Sequence, residues 1–287
     1  MQFFYSGLTS GSIYALVAIG FNIIYNTTGI INFAQGEFVM LGGMFIYSLL
    51  YIFGFPVFLS FLMAVVGAFI LGVIFERTFI RFVKVKTELN LITITIAGSI
   101  ILRGLAMVIW GRDTLYIESF VENSVVTLYD GTITTNSLIV ISVSIIISFL
   151  LTIFFKHTKF GKAFRACYED KVAASVCGVN VNLIIMVSFG IAAFVGSIAG
   201  VVISPITYVT YSDGIMIGLK GFAAAVLGGL GSFWGGIFGG FILGISEALF
   251  AYILPSGFKD AMAFLIILSI LFLRPQGLFG RKKATRV

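Results

Sequence analysis

Two polar stretches hold the side chains of this chain best placed to do chemistry. The first, residues 161–178, reads GKAFRACYEDKVAASVCG. With Lys156 and Lys159 just before it, it sets Lys162, Arg165 and Lys171 against two anions, Glu169 and Asp170. Phe164, Cys167 and Tyr168 fall at helical spacing, as do Val172, Ala173 and Val176. Asp170 is placed to cap a second short helix, and Gly178 to end it in a left-handed turn. Glu169 shares a face with Ala173, and Asp170 with Ala174. Such a helix can sit close in another protein's cleft, alanines against the wall and carboxylates at the rim. The same stretch also fits a basic cytoplasmic loop that only fixes topology. The second stretch, residues 26–37, reads NTTGIINFAQGE and interrupts a run that is otherwise apolar. Irregular backbone is not tolerated facing lipid, so this break must be buried in protein or line a watery cavity. Asn32, Gln35 and Glu37 are then candidates for lining a translocation path, with an ordinary cytoplasmic turn as the other reading.

Other chemistries are poorly provided for. The single histidine, His157, lies among cations, which argues against a metal site or a serine–histidine hydrolase. No GxxxxGK[ST] pattern occurs, so the chain has no means of powering itself with ATP. Cys167 and Cys177 match no metal spacing, and a disulfide is not expected in a cytoplasmic loop. Both fit as small apolar fillers. No metal and no cofactor are expected.

The elements that must position these residues are membrane spans. Of the 287 residues, 59% are hydrophobic and only 10% charged, and the mean hydropathy is +1.11. Soluble domains carry about 25% charged residues. At ~20 residues per span, the length allows roughly eight to nine crossings. The net charge of +6 gathers beside apolar runs, so anionic lipid headgroups are a sufficient partner and nucleic acid is not expected. No cleavable signal peptide is expected, for want of a positive n-region. The expected fold is all-α and polytopic, a single transmembrane domain over 1–287 with broken or re-entrant helices.

Apolar spans are expected over 4–25, 38–53, 57–75, 91–110, 137–155, 182–204 and 261–273. In the first, Gly7, Gly11 and Ala15 repeat every four residues, a smooth stripe for close helix packing. Arg103 falls inside the fourth span, about 10 Å short of Trp110 by helical rise. It is expected to snorkel to the outer interface, the alternative being a buried partner or a pathway charge. Residues 111–136 are acidic, with Asp113, Glu118, Glu122 and Asp130, and a Tyr-Asp-Gly-Thr turn suits an outer hairpin. Residues 205–220, which hold Tyr208, Tyr211 and Asp213, are expected in an extracytoplasmic loop. Residues 221–244 carry two glycine stripes, Gly231, Gly235 and Gly239 beside Gly236, Gly240 and Gly244, with a helix break expected at 228–232. Glu247 follows in an apolar context, and Pro255 and Lys259 lie beyond it. Arg77, Arg81, Lys84 and Lys86 form one basic segment, 156–181 a second, and the tail 274–287, with Arg281, Lys282, Lys283 and Arg286, a third. Placing all three in the cytoplasm and the acidic loop outside gives a consistent topology, which puts Met1 outside if both early spans fully cross. The breaks at 26–43 and 221–244 suggest an inverted repeat.

Three motifs in order carry a family resemblance: INFAQGEFVMLGG at 31–43, GKAFRACYEDKVAASVCGVN at 161–180 and FAAAVLGGLGSFWGGIFGGFILGISEAL at 222–249. With the opening SGLTSGSIYALVAIGFNIIYNTTGIINFAQGE, the chain resembles the H-type (LivH-type) permeases of bacterial branched-chain amino-acid ABC importers. The resemblance covers almost the whole chain. It implies an inner-membrane permease paired with a second, homologous permease, two cytoplasmic ABC ATPases and an extracytoplasmic solute-binding protein. It also implies that Ala166, Glu169, Asp170, Ala173, Ala174, Ser175 and Gly178 couple the permease to the ATPases. Tyr168 and Lys171 depart from the family's loop motif, and Phe233-Trp234 stands where Ile-Pro or Leu-Pro is the family pattern. A permease for urea, short amides, sugars or nucleosides, or a stand-alone secondary transporter, is the alternative.

Overall fold

The structure, a computed structural model, describes residues 1–83, 87–122, 124–128, 131–253, 259–274 and 276–280. Lys84, Lys86, Asp130, Pro255 and the tail cations from Arg281 onward lie outside the described residues. Eleven helices are described: α1 Gln2–Thr28, α2 Gln35–Tyr47, α3 Val57–Phe75, α4 Glu88–Trp110, α5 Thr135–His157, α6 Lys159–Glu169, α7 Lys171–Val176, α8 Val181–Ile203, α9 Asp213–Gly228, α10 Phe233–Ile253 and α11 Lys259–Leu273. Short π-helical turns, Ser48–Ile52 and Glu76–Ile80, extend α2 and α3. Among the described residues, seven helices are long and apolar enough to cross a membrane: α1, α2, α3, α4, α5, α8 and α10. The helices α9 and α11 are shorter, with 16 and 15 residues. A two-stranded antiparallel hairpin, β1 Val125–Leu128 and β2 Gly131–Thr134, closes where the outer turn is expected.

Polar caps set the helix starts at the loop ends. Thr87, Thr134, Thr158, Asp170 and Asn180 accept from backbone N–H groups in the first turns of α4, α5, α6, α7 and α8. Each satisfies donors that the helix itself leaves unpaired.

The core is built around α1. Every residue from Gly11 to Ile24 is buried, and α1 packs most extensively on α10, then on α8, α9 and α5. The N-terminal end of α1 lies beside the hairpin, where the Thr132 N–H donates to Gln2 Oε1 at 2.8 Å. Its C-terminal end lies beside α7, where Lys171 Nζ donates to the Thr28 carbonyl at 2.8 Å. The segment after α8 joins the hairpin end through the Leu115–Val209 bridge. The acidic loop and the basic segment 156–181 thus lie at opposite ends of α1, as the charge pattern requires.

One expected loop is a helix. Residues 213–220 belong to α9, and Lys220 is buried, 9% exposed. Asp213 accepts from the Thr210 N–H at 2.6 Å, which closes the turn that starts α9. The polar opening of this segment conceals a helix whose later residues are apolar and small.

Candidate functional site

The basic end carries a compact two-helix unit. Along α6, Phe164 and Cys167 are buried against the bundle, with Phe155 and Phe164 rings edge to face at 5.1 Å. The unit turns sharply at Asp170, whose Oδ1 accepts from Val172 N–H at 2.8 Å and Ala173 N–H at 3.1 Å. It ends at Gly178, φ +84°, a backbone conformation suited to glycine. Glu169, Asp170, Ala173, Ser175 and Gly178 are exposed, Ala166 is half-buried and Ala174 is buried. Val172 and Val176 are 74% and 82% exposed, so the outward face of α7 is apolar beside the two acids. Both cysteines are free: Cys167 is buried, and Cys177 is exposed rather than a filler. Burial pushes the Cys167 thiol pKa up, against the opposing pull of the Lys171 cation.

A cavity of about 400 Å³ opens beside this unit, lined by Asn26, Lys156, Arg165, Tyr168, Gly231 and Trp234 among others. It joins α6 to the turn between α9 and α10. That turn follows the expected break: α9 ends at Gly228, and Gly229 and Gly231 have positive φ. Asn22 of α1 fastens it, accepting from Gly231 N–H at 2.9 Å and donating to the Ser232 carbonyl at 2.9 Å. Ser232 Oγ then accepts from Gly235 N–H at 3.1 Å, so Phe233 and Trp234 open α10 without a proline.

The two glycine rows face different neighbours. A Cβ on Gly236, Gly240 or Gly244 would run into α1 at Asn22 and Ala18, Ala15, and Gly11 respectively. One on Gly235 or Gly239 would strike α9 at Gly228 or Ala224. Gly7 and Gly11 answer from α1, against Ile245 and Phe241. Gly231 stands in the turn, outside the stripe.

The α1–α2 break folds back into the protein. Gln35 abuts Gly20, about 12 Å inside the end of α1 at Thr28 by helical rise. Asn32, Gln35 and Glu37 are at most 1% exposed. Asn32 Oδ1 accepts from Ala34 N–H at 3.1 Å, and Gln35 Nε2 donates to the Ala192 carbonyl at 2.9 Å. Glu37 Oε1 accepts from Ser99 Oγ at 2.8 Å and pairs with Arg103 Nη2 at 3.4 Å. Arg103 therefore turns inward to a buried partner instead of snorkelling outward. None of Asn32, Gln35 and Glu37 lines the cavity at the basic end.

A second buried ion pair was not legible as a pair. Lys220 Nζ of α9 donates to Glu247 Oε1 of α10 at 2.8 Å, and Tyr14 Oη of α1 donates to Oε2 at 2.7 Å. The ammonium also lies 5.8 Å from the Tyr14 ring centroid. Both carboxylate oxygens are bonded, and the three helices are tied at one point.

Residues 3–272 match the family model for the permease component of branched-chain amino acid transport systems. The chain belongs to this permease family. The permease is 34% identical over 300 residues to the high-affinity branched-chain amino acid transport system permease protein LivH of Escherichia coli K12, covering 100% of this chain and 97% of that protein. It is 32% identical over 301 residues to the permease protein BraD of Pseudomonas aeruginosa, covering 100% and 98%. Among solved structures it is similar to PsaBC from Streptococcus pneumoniae in complex with Fab, with a TM-score of 0.51 and 18% identity over 96% of this chain and 93% of that one. That likeness shows the fold alone. The permease is a multi-pass ABC transport subunit and not an enzyme.

Proposed function

We infer that the permease carries branched-chain, hydrophobic amino acids across the bacterial inner membrane as a subunit of an ATP-driven importer. A second, homologous permease completes the path, two cytoplasmic ABC ATPases drive it, and an extracytoplasmic solute-binding protein delivers substrate. The full-length match to branched-chain amino-acid permeases carries this reading. The α6–α7 unit supports it as the coupling element: a capped helical elbow with Glu169, Asp170 and an apolar α7 face turned outward. On this reading residues 156–181 lie in the cytoplasm and the hairpin lies outside. ATP-driven closure of the motor subunits then moves α6 and α7, and the adjoining glycine turn transmits that motion to α9 and α10. Asn32, Gln35 and Glu37 contribute to the path, and the binding protein supplies most of the affinity.

Charge reversal of Glu169 and Asp170 together tests the coupling. The variant is expected to stay in the membrane, lose its ATPases on co-purification and lose uptake. Full uptake by that double variant would refute the assignment. Competition among leucine, valine, urea and sugars in the intact complex tests the substrate class.

A further inference from the structure

The two buried ion pairs differ in a way that separates a strut from a binding station. Lys220–Glu247 is short, and Tyr14 completes it, so neither carboxylate oxygen is left over. Glu37–Arg103 is long and single-stranded: one guanidinium nitrogen meets one carboxylate oxygen at 3.4 Å. Glu37 Oε2 has no hydrogen-bond partner, nor has Arg103 Nε. Arginine and carboxylate ordinarily meet through two parallel bonds, and an incomplete buried pair is costly. We propose that Glu37 and Arg103 form an exchangeable ion pair that takes the two ends of a zwitterionic amino acid in transit, the ammonium on Glu37 and the carboxylate on Arg103; this rests on the importer reading above.

Geometry and charge both support the exchange. The Arg103 side chain is 26% exposed and that of Glu37 2%, so the pair has an outer and an inner member. The open oxygen of Glu37 is directed at Gly214, where a Cβ would collide with the carboxyl group. Gly36 and Gly218 meet beside it with no side chain between α2 and α9. Backbone rather than side chains therefore lines that side of the carboxylate. An ammonium brings donors to the vacant Oε2, and a carboxylate brings acceptors to Nε and the guanidinium nitrogens. A neutral zwitterion enters a neutral pair, so no net charge is added to the membrane interior. Asn32 Nδ2 and Gln35 Oε1, in the turn leading to Glu37, are also without partners.

The test uses the assembled permease–ATPase complex with its binding protein in proteoliposomes, reading leucine uptake per ATP hydrolysed. E37Q, R103Q and E37Q/R103Q are compared, with co-purification yield as the check on folding. Each variant, the double included, is expected to lower uptake per ATP by roughly tenfold or more. A double variant with the wild-type ratio would overturn the proposal, because a mere strut loses its cost once both charges are gone. For a variant that does not assemble, E37D and R103K take its place. Moving the carboxylate or replacing the planar fork lowers the ratio several-fold, and wild-type ratios in both would overturn the proposal. A wild-type complex that moves no amino acid under ATP would refute the importer reading itself, and the proposal with it. Defects confined to the variants keep the two failures apart.

Discussion

Lys220→Met removes the cation from a pair that ties α9 to α10 inside the bundle. The Glu247 carboxylate, 1% exposed, then stays buried without it. Breaking a buried ion pair from one side costs about 3–5 kcal/mol. Tyr14→Phe takes one charge-assisted hydrogen bond from the same carboxylate, about 1.5–3 kcal/mol. Lys220→Met with Glu247→Gln removes both charges, and the amide oxygen still accepts from Tyr14. That double variant is expected within roughly 1–2 kcal/mol of wild type, since replacing both partners of such a pair is often near neutral. The readout is thermal unfolding of the purified permease in detergent, followed by a thiol-reactive dye. Cys177 is exposed and is blocked first, so that the signal comes from buried Cys167 as the fold opens. The single Lys220 variant is expected to lower the midpoint by on the order of 10 °C. A shift too small to measure, or a double variant as damaged as the Lys220→Met and Glu247→Gln single variants added together, would refute the assignment of a cross-helix tie.

Maleimide added to the cytoplasmic side of oriented vesicles should label Cys177 and leave Cys167 unlabelled at neutral pH. Burial shields Cys167 and raises its pKa, so its reaction should grow only as pH rises; labelling of Cys177 from the opposite side would reverse the proposed orientation. Gly240→Leu should destabilise by about 1–3 kcal/mol or more through overpacking against Ala15. Gly104→Ala, which meets nothing within 4 Å, should be neutral or stabilising by up to ~1 kcal/mol; equal effects in unfolding assays would contradict the packing scheme. Asn22→Ala should cost about 1–3 kcal/mol by freeing the half-buried Gly231 turn, seen as faster proteolysis at 229–232; unchanged proteolysis would count against it.

Much of this architecture was visible in the chain because hydropathy and glycine placement are local signals. The first span, both breaks, the hairpin, the Asp170 cap and the Gly178 turn all follow from residues within a few positions of each other. The failures share the opposite trait. Lys220 looked like loop because Tyr208, Tyr211 and Asp213 precede it, yet its partner Glu247 lies 27 positions on in another helix. Arg103 looked like an interfacial anchor because its partner, Glu37, is 66 positions earlier: separations of this kind leave no local trace. Asn22 sits in an apolar helix, and only the distant turn at 229–232 explains it. An ionisable or amide side chain within an apolar helix was the available signal in each case.

The place of α1 at the centre has a consequence for how the molecule is made. This helix is made before every helix it packs against, yet the surface that clasps its Gly7–Gly11 face belongs to α10, more than 200 residues downstream. Until that late segment arrives, Tyr14 and Asn22 wait in the bilayer without Glu247 and the Ser232 turn to meet them. The α1–α10 packing is thus a contact of long sequence separation, a slow kind of closure. Truncation before residue 233 should leave the opening helix as the part that quality control recognises.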